Sequence, residues 1–550
     1  MTKRLTQLLE ESVKSNWEFK ALEDYKGKSY TYGELGETIT KIHSAFRELG
    51  VEQGDKIALM GKNSANWCTI YLATVTYGAV IVPVLPDFKA DDTHHIVNHS
   101  DAKVLFIEKN IFAGLSPEKM TNIEVIFSIK DFGLLESTKE GLGQSIFEIG
   151  ATRFASDFSG GVNAANLMFH YADPEALAVI SYTSGTTGFS KGVMIQHKSL
   201  SGNVVFAQNN MPLQPKDKIV SFLPLAHTYG CAFEFLFPLT LGCHITLLTK
   251  TPSPQVVLSA FQEVKPSLIL TVPLVIEKIF KSKIQPELRK PMISKLIKIP
   301  GLRNLVFNKI RKGVYESFGG NFKELVIGGA AFNPEVEAFF NKIKFPFTVG
   351  YGMTECGPLI SYASWNTTKL GASGRPVDEV EVKIDSDNQR EVVGEIMVKG
   401  SHVMKGYYKN PEATEKVLDN DGWFRTGDLG VIDHEGNIFI KGRSKSMILG
   451  PSGKNIYPEE LESLLNNSQY ITESIVIDKN NKLVALIYPD FEVVDKNNLS
   501  QDQLSDLLKK EVKAINHRVP GYMTISDFKI SPTEFEKTPK RSIKRFMYQA

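Results

Sequence analysis

At 550 residues, 42% of them hydrophobic and 23% charged, the chain is longer than one hydrophobic core usually serves, so two or more domains are expected. A formal net charge of +1 argues against a nucleic-acid partner. The four cysteines, Cys68, Cys231, Cys243 and Cys356, lack Cys-x-x-Cys spacing, which argues against a zinc site or a disulfide framework and for reduced, buried thiols.

The chain opens with Met-Thr-Lys-Arg and mixed polar residues, without an apolar core of signal-peptide length, so the cytoplasm is the expected compartment. Up to about Gly50 the pattern is amphipathic; Ser29-Tyr-Thr-Tyr-Gly-Glu-Leu35 passes from a short strand into a helix capped by Thr31 and running to Leu49. Residues 55–60 form a short apolar run after a Gly-Asp turn, 67–79 have helical spacing, and 80–85 read as a buried strand. Strand, helix, strand alternation predicts a parallel sheet covered by helices, with 104–107 and 125–129 as further strands. The most apolar stretch, 229–248, is broken by Glu234, Pro238, Gly242 and His244, and reads as a buried helix followed by a strand rather than a membrane span.

The chain is organised around Ser181-Tyr-Thr-Ser-Gly-Thr-Thr-Gly-Phe-Ser-Lys-Gly-Val-Met-Ile-Gln-His197, a loop between apolar runs at 176–180 and 193–195. Gly185, Gly188 and Gly192 let backbone N–H groups turn inward, Ser184, Thr186, Thr187 and Ser190 add hydroxyl donors, and Lys191 adds one cation, a combination suited to phosphate. It is not a Walker A loop, because Gly192 rather than Ser or Thr follows Lys191. Tyr182 to Gly192 matches every position of Tyr-Thr-Ser-Gly-Thr-Thr-Gly-x-x-Lys-Gly, and so resembles the signature of the adenylate-forming superfamily of acyl-CoA synthetases, luciferases and nonribosomal adenylation domains. The resemblance implies an α/β fold: a large N-terminal domain of β-sheets layered with helices plus a small β-rich subdomain (1–443), then a small mobile α+β C-terminal domain (444–550) with a hinge near Ser446. It also implies that Thr183, Ser184, Gly185, Thr186, Thr187 and Gly188 bind the nucleotide's phosphates and that Lys191 is catalytic.

Further motifs resemble the superfamily in its order, from Tyr30 to Arg545. Ile219-Val-Ser-Phe-Leu-Pro-Leu-Ala-His-Thr-Tyr229 is a strand ending in a turn with His227, which is either a structural hydrogen-bonding group or, by resemblance, part of the carboxylate and acyl-adenylate pocket. Leu325-Val-Ile-Gly-Gly-Ala-Ala331 ends a strand on a glycine pair that lets a flat base approach; Gly328, Gly329 and Ala330 resemble the adenine-stacking segment. Tyr351, Gly352, Thr354 and Glu355 match Tyr-Gly-x-Thr-Glu. A carboxylate beside a triphosphate needs a cation between them, so Glu355 is expected to bind Mg²⁺, with Tyr351 on adenine and Thr354 on the α-phosphate by resemblance. Residues 392–414 resemble the β-rich subdomain, and Asp428 and Arg443 resemble its ribose contacts, an acceptor-only carboxylate suiting a vicinal diol.

Between Glu277 and Lys312 eleven Lys and Arg residues accompany only Glu277 and Glu287. This segment reads as a solvated helical face, or as a site for anionic lipid or for the CoA phosphates, with interleaved apolar residues as its counterface. Beyond the hinge, Gly450 to Gly453 should turn and Pro458 should open a helix with Glu459 and Glu460 in its first turn. At the C-terminus the superfamily's catalytic Lys falls on Ser542; were the segment extended, Lys540 and Lys544 would point to the same side and either could substitute, Lys540 being preferred.

The resemblance implies an ATP- and Mg²⁺-dependent carboxylic acid–CoA ligase that forms an acyl-adenylate and then a thioester, on a medium- or long-chain fatty acid. Alternatives are an aryl-acid substrate, an acyl carrier protein as acceptor in place of coenzyme A, or a nucleotide-binding protein with adenylation impaired at Ser542. Peripheral contact with the inner face of a membrane is a further expectation from the basic segment.

Overall fold

Thr31 starts the first long helix, Tyr32–Leu49, through a reciprocal capping box: its hydroxyl accepts from the Glu34 N–H at 3.1 Å, and the Glu34 carboxylate accepts from the Thr31 N–H at 2.7 Å. The computed structural model describes residues 4–183, 190–250, 253–450, 453–538 and 543–548. In it the helix Ala65–Tyr77 begins two residues before the periodic pattern, because the Ser64 hydroxyl caps it by accepting from the Trp67 N–H. This helix is apolar around its whole circumference, and its residues Ala65 to Thr76 are all buried.

Among the described residues the main sheet has eight strands. Leu177–Thr183, Val80–Val84, Lys56–Met60, Ala102–Ile107 and Val125–Ser128 run parallel, as the alternating pattern predicts, and their near-continuous apolar character fits strands covered on both faces. Antiparallel strands flank this block: Leu134–Ser137 at one end, Lys191–Gln196 and then Gly406–Tyr407 at the other. The last pairing corrects the sequence reading, which assigned the whole of 392–414 to the β-rich subdomain. Gly406 and Tyr407 pair instead with Met194 and Val193, on the strand Lys191–Gln196.

A second sheet contains Lys218–Ser221, followed by the turn to His227. Residues 229–248 are a helical run, partly of π type, and the strand His244–Leu247, as expected. Glu234 in that run is fully buried and accepts from the Ser221 hydroxyl and the Phe222 and Leu223 N–H groups, all at 3.0 Å, so it fixes the start of the turn; burial raises its pKa. A third, parallel sheet, Leu268–Thr271, Glu324–Ile327 and Phe347–Val349, brings the Gly328 and Tyr351 segments side by side, with the Gly350 N–H donating to Ile327 O at 2.9 Å. An antiparallel sheet of Val380–Asp385, Gly394–Gly400, Phe424–Ile432 and Ile438–Arg443 carries Asp428 and Arg443. All four cysteines are buried free thiols, and among the described residues no helix is long and apolar enough to cross a membrane.

Glu324 gives this architecture a pH signature. It is fully buried and accepts from the Tyr362 hydroxyl and the Trp365 N–H, and burial raises its carboxyl from 4.5 to about 7. The neutral form therefore favours the folded state fully below pH 4.5, and that contribution is lost as the pH rises through 7. The expected loss is about 3 kcal/mol between those limits. Urea unfolding of Glu324→Gln should show this part of the stability profile flattened; an unchanged slope would exclude Glu324 as its source.

The small domain has its own core, including Leu461, Leu465, Ile487 and Leu508, built from the helices Pro458–Leu465 and Gln501–Asn516 on the sheet Ile471–Asp478, Leu483–Pro489 and Ile525–Ile530. Pro458 opens its helix with Glu459 and Glu460 in the first turn, as predicted. The basic segment is not wholly a solvated face, because Lys281 lies at the junction of the domains. Its ammonium donates to Asn466 O (3.2 Å), at the end of the Pro458–Leu465 helix, and to Ile471 O (2.5 Å), at the start of the strand Ile471–Asp478, and burial lowers its pKa to about 8. Asn333 caps the large-domain helix Pro334–Lys342 and donates across the same junction to Ser463 O (3.0 Å) and Asn467 Oδ1 (2.8 Å).

Candidate active site

Thr183 and Lys191 are cross-strand partners where the strands Leu177–Thr183 and Lys191–Gln196 flank residues 184–190. Ser184, Gly185, Thr186, Thr187 and Gly188 lie outside the described residues. The Lys191 ammonium sits 4.8 Å from the centre of the Tyr407 ring, a cation–π contact, and the Tyr407 hydroxyl donates to Glu355 Oε1 at 3.1 Å. Cation and carboxylate are thus joined through one tyrosine.

Glu355 belongs to the short turn Thr354–Cys356, in which Thr354 is buried. The helix His197–Asn210, which follows the Lys191 strand directly, anchors this turn: Asn203 Oδ1 accepts from the Leu359 N–H at 2.9 Å. Gly357 closes the turn at φ 62°, and a Cβ there would lie 2.0 Å from the Ser199 hydroxyl of the same helix, so both backbone angle and space require glycine. The Glu355 carbonyl also accepts from the Met404 N–H at 2.8 Å, which brings the Tyr407 segment alongside.

Asp428 and Arg443 are cross-strand neighbours, and the Arg443 Nε lies 2.8 Å from Asp428 Oδ1. The Tyr351 hydroxyl donates to the other oxygen at 2.7 Å. Burial raises the Asp428 carboxyl, while Arg443 and the Tyr351 hydroxyl act in the opposite direction. Gly352 abuts the backbone of Pro358. On the neighbouring strand Gly328 is buried, with the Tyr229 ring 3.1 Å from where its Cβ would be, whereas Gly329 and Ala330 are exposed. The Tyr229 hydroxyl donates to Val326 O at 3.1 Å, so the turn with His227, which precedes the short helix Thr228–Gly230, lies against the glycine segment. Beside it an apolar cavity lined by Val179, Ser181, Leu225, Ala226, Thr228 and Ala232 has about 10 Å³ of free volume, room for one water molecule.

Lys540 and Ser542 lie outside the described residues. Lys537 and Ile543 pair in an antiparallel bridge, and a single helical turn, Arg545–Met547, follows. The Lys544 N–H donates to Glu536 O at 2.8 Å, and the half-buried Arg545 guanidinium is clamped by both oxygens of Glu462.

Tyr407 and Tyr229 had no assigned role in the sequence reading. Tyr407 stands in the stretch Val403-Met-Lys-Gly-Tyr-Tyr408 that the resemblance matched, but no spacing links it to a lysine 216 positions earlier. Among the described residues no three His, Cys, Asp or Glu side chains converge as a metal centre. A lone carboxylate such as Glu355 fits Mg²⁺ held mainly by phosphate oxygens and water.

Two family models cover most of the chain, the AMP-binding enzyme over residues 9–408 and the AMP-binding enzyme C-terminal domain over 445–549. The long-chain-fatty-acid–CoA ligase FadD15 of Mycobacterium bovis is 27% identical over 94% of this chain and 89% of its own length. The long-chain-fatty-acid–[acyl-carrier-protein] ligase AEE15 of Arabidopsis thaliana is 28% identical over 88% of this chain and 76% of its own. The crystal structure of the anthranilate CoA ligase AuaEII with anthranoyl-AMP superposes with a TM-score of 0.79 at 20% identity, covering 100% of this chain and 96% of that one. A large α/β domain that joins Lys191 to an acidic turn and carries an aspartate–arginine pair, followed by a small domain with its own core, together with matches over both parts, places the chain in the AMP-binding enzyme family of adenylate-forming acyl- and aryl-CoA ligases.

Proposed function

We propose that the protein is an AMP-forming acyl-CoA synthetase acting on medium- or long-chain fatty acids. The observation that carries this is the Lys191–Tyr407–Glu355 chain, which joins a cation and a carboxylate at the strand that follows residues 184–190. In the first step a carboxylate oxygen attacks the α-phosphorus of ATP and pyrophosphate leaves. In the second a thiol attacks the acyl carbon, the carbon–oxygen bond to phosphate breaks, and AMP departs.

Lys191 and the donors of the 184–188 loop offset the charge that builds on the phosphates, Asp428 and Arg443 hold the ribose, and Gly328, Gly329, Ala330 and Tyr351 bound the adenine. Thr354 faces the α-phosphate, and His227 borders the substrate carboxylate. Glu355 would hold Mg²⁺, which when bound neutralises phosphate charge and orients the leaving group. Lys540 is the proposed replacement for the cation expected at Ser542, since the Lys544 backbone is tied to Glu536 and the Arg545 guanidinium to Glu462. We assign 1–443 and 444–550 as the two bodies, pivoting near Ser446. A rotation there between the two steps breaks the Lys281 and Asn333 contacts and re-forms them on return. If the acyl chain enters beside Thr228, a cavity of about 10 Å³ requires the surrounding side chains to move.

The test is pyrophosphate release from ATP and Mg²⁺ over carboxylic acids of graded chain length and over aryl acids, first without an acceptor. Coenzyme A or a pantetheinylated acyl carrier protein is then added and thioester measured. Release should peak with medium or long chains and thioester should form with coenzyme A. A peak with aryl acids, or thioester with the carrier protein alone, would replace the substrate assignment. ATP binding without pyrophosphate from any acid would make the protein a nucleotide binder without turnover. In the same assay Lys540→Ala should lose adenylation and Lys544→Ala should keep it.

A further inference from the structure

We propose that the outer face of residues 291–312 docks on an anionic lipid bilayer. The helix Leu302–Ser317 rests on the body of the protein through Phe307 and Val314, both buried. On its opposite side Leu302, Leu305, Lys309 and Lys312 follow one another at i, i+3, i+7 and i+10, so two leucines and two lysines share one outward stripe. Leu302 is 40% exposed and Leu305 66%, and Met292, on the adjoining helix Pro291–Leu296, and Ile299, between the two helices, are 69% and 48% exposed. Every residue from Lys298 to Leu305 is exposed. Single exposed apolar side chains are ordinary, but four within residues 292–305 are a patch.

The charges around that patch have one sign. Lys295, Lys298, Arg303, Lys309 and Arg311 form no ion pair among the described residues, and the contact of Lys312 with Glu316 is an exposed one of 3.7 Å. Lys281, Gln285 and Arg289 of the same segment face the small domain and are not part of the surface.

Aliphatic tips ringed by cations match a bilayer interface, where the tips reach the acyl boundary and the cations meet lipid phosphates. A second copy of the chain across a two-fold axis would set these cations against each other. A soluble polyphosphate such as coenzyme A would leave the aliphatic tips in water. Nucleic acid would find no exposed aromatic ring here for its bases, Phe307 being buried. This inference does not depend on which acid is activated, because its readout is vesicle partitioning and not turnover.

The full chain should sediment with phosphatidylcholine vesicles containing phosphatidylglycerol and remain in solution with phosphatidylcholine alone, and high salt should weaken the binding. Lys298→Gln with Lys309→Gln should lower partitioning by roughly 25-fold, about five-fold per charge. Leu302→Ser with Leu305→Ser should lower it by a comparable factor, and unchanged thermal melts would show both variants folded. The proposal is overturned if no vesicle binds, if both lipid compositions bind equally, or if both variants partition like the parent. It is also overturned if the leucine variant dissociates a dimer seen by sedimentation velocity, or if the lysine variant raises the KM for coenzyme A without changing vesicle binding.

Discussion

Replacing Asp428 by alanine should raise the ATP concentration needed for half-maximal pyrophosphate release by roughly 30- to 150-fold. That corresponds to about 2–3 kcal/mol, the contribution of charge-assisted hydrogen bonds from a diol to one carboxylate. Asp428 is only 4% exposed, and its two oxygens are already oriented by Arg443 Nε and the Tyr351 hydroxyl, so little rearrangement is needed to receive a ribose. Because the ribose is remote from the reacting phosphorus, its binding is nearly the same in ground and transition states, and turnover at saturating ATP should fall far less than kcat/KM. The alanine variant leaves the Tyr351 hydroxyl buried without its acceptor, at a cost of about 1–3 kcal/mol in stability. Adding Tyr351→Phe separates this loss from the loss of nucleotide affinity. An unchanged KM for ATP in a folded Asp428→Ala protein would remove Asp428 from the nucleotide site.

Lys191→Ala should behave in the opposite way, with turnover falling about 100- to 1,000-fold and ATP affinity changing little, since charge develops on the phosphates chiefly in the transition state. Among the described residues Lys191 rests over the Tyr407 ring and forms no ion pair, so its ammonium can swing to a phosphate without breaking a strong bond there. Tyr407→Phe is the informative companion: the ring under Lys191 stays, but the hydroxyl that holds Glu355 is lost. Pyrophosphate release should then require about ten-fold more Mg²⁺, as is typical when a metal ligand loses its orienting hydrogen bond. A Lys191→Ala enzyme with parental single-turnover adenylation would refute the phosphate-loop assignment.

Much of this site was legible in the sequence because its parts are local. A glycine- and hydroxyl-rich loop between two apolar runs, a strand ending on Gly328–Gly329, and the acidic turn after Tyr351 each declare their chemistry within about ten residues. Thr31 with Glu34 and Pro458 with Glu459 likewise announce their helices, because capping is settled over three or four positions. Local pattern misled where a distant partner decides. Gly406 and Tyr407 look like part of the β-rich stretch around them, but pair with Met194 and Val193 across the main sheet. At the C-terminus, likewise, no local pattern announces that Ile543 bridges to Lys537 or that Glu462 clamps Arg545.

The sequence by itself therefore determined the family, the order of the elements and the inventory of candidate groups, since each rests on residue type and short spacing. Only the tertiary structure decided that Lys191 and Glu355 share Tyr407, that Lys281 serves the domain junction instead of the solvent, and that the leucines of the basic segment face outward. Those outcomes depend on which surfaces pack together, and packing is set by contacts between residues hundreds of positions apart that no local pattern encodes.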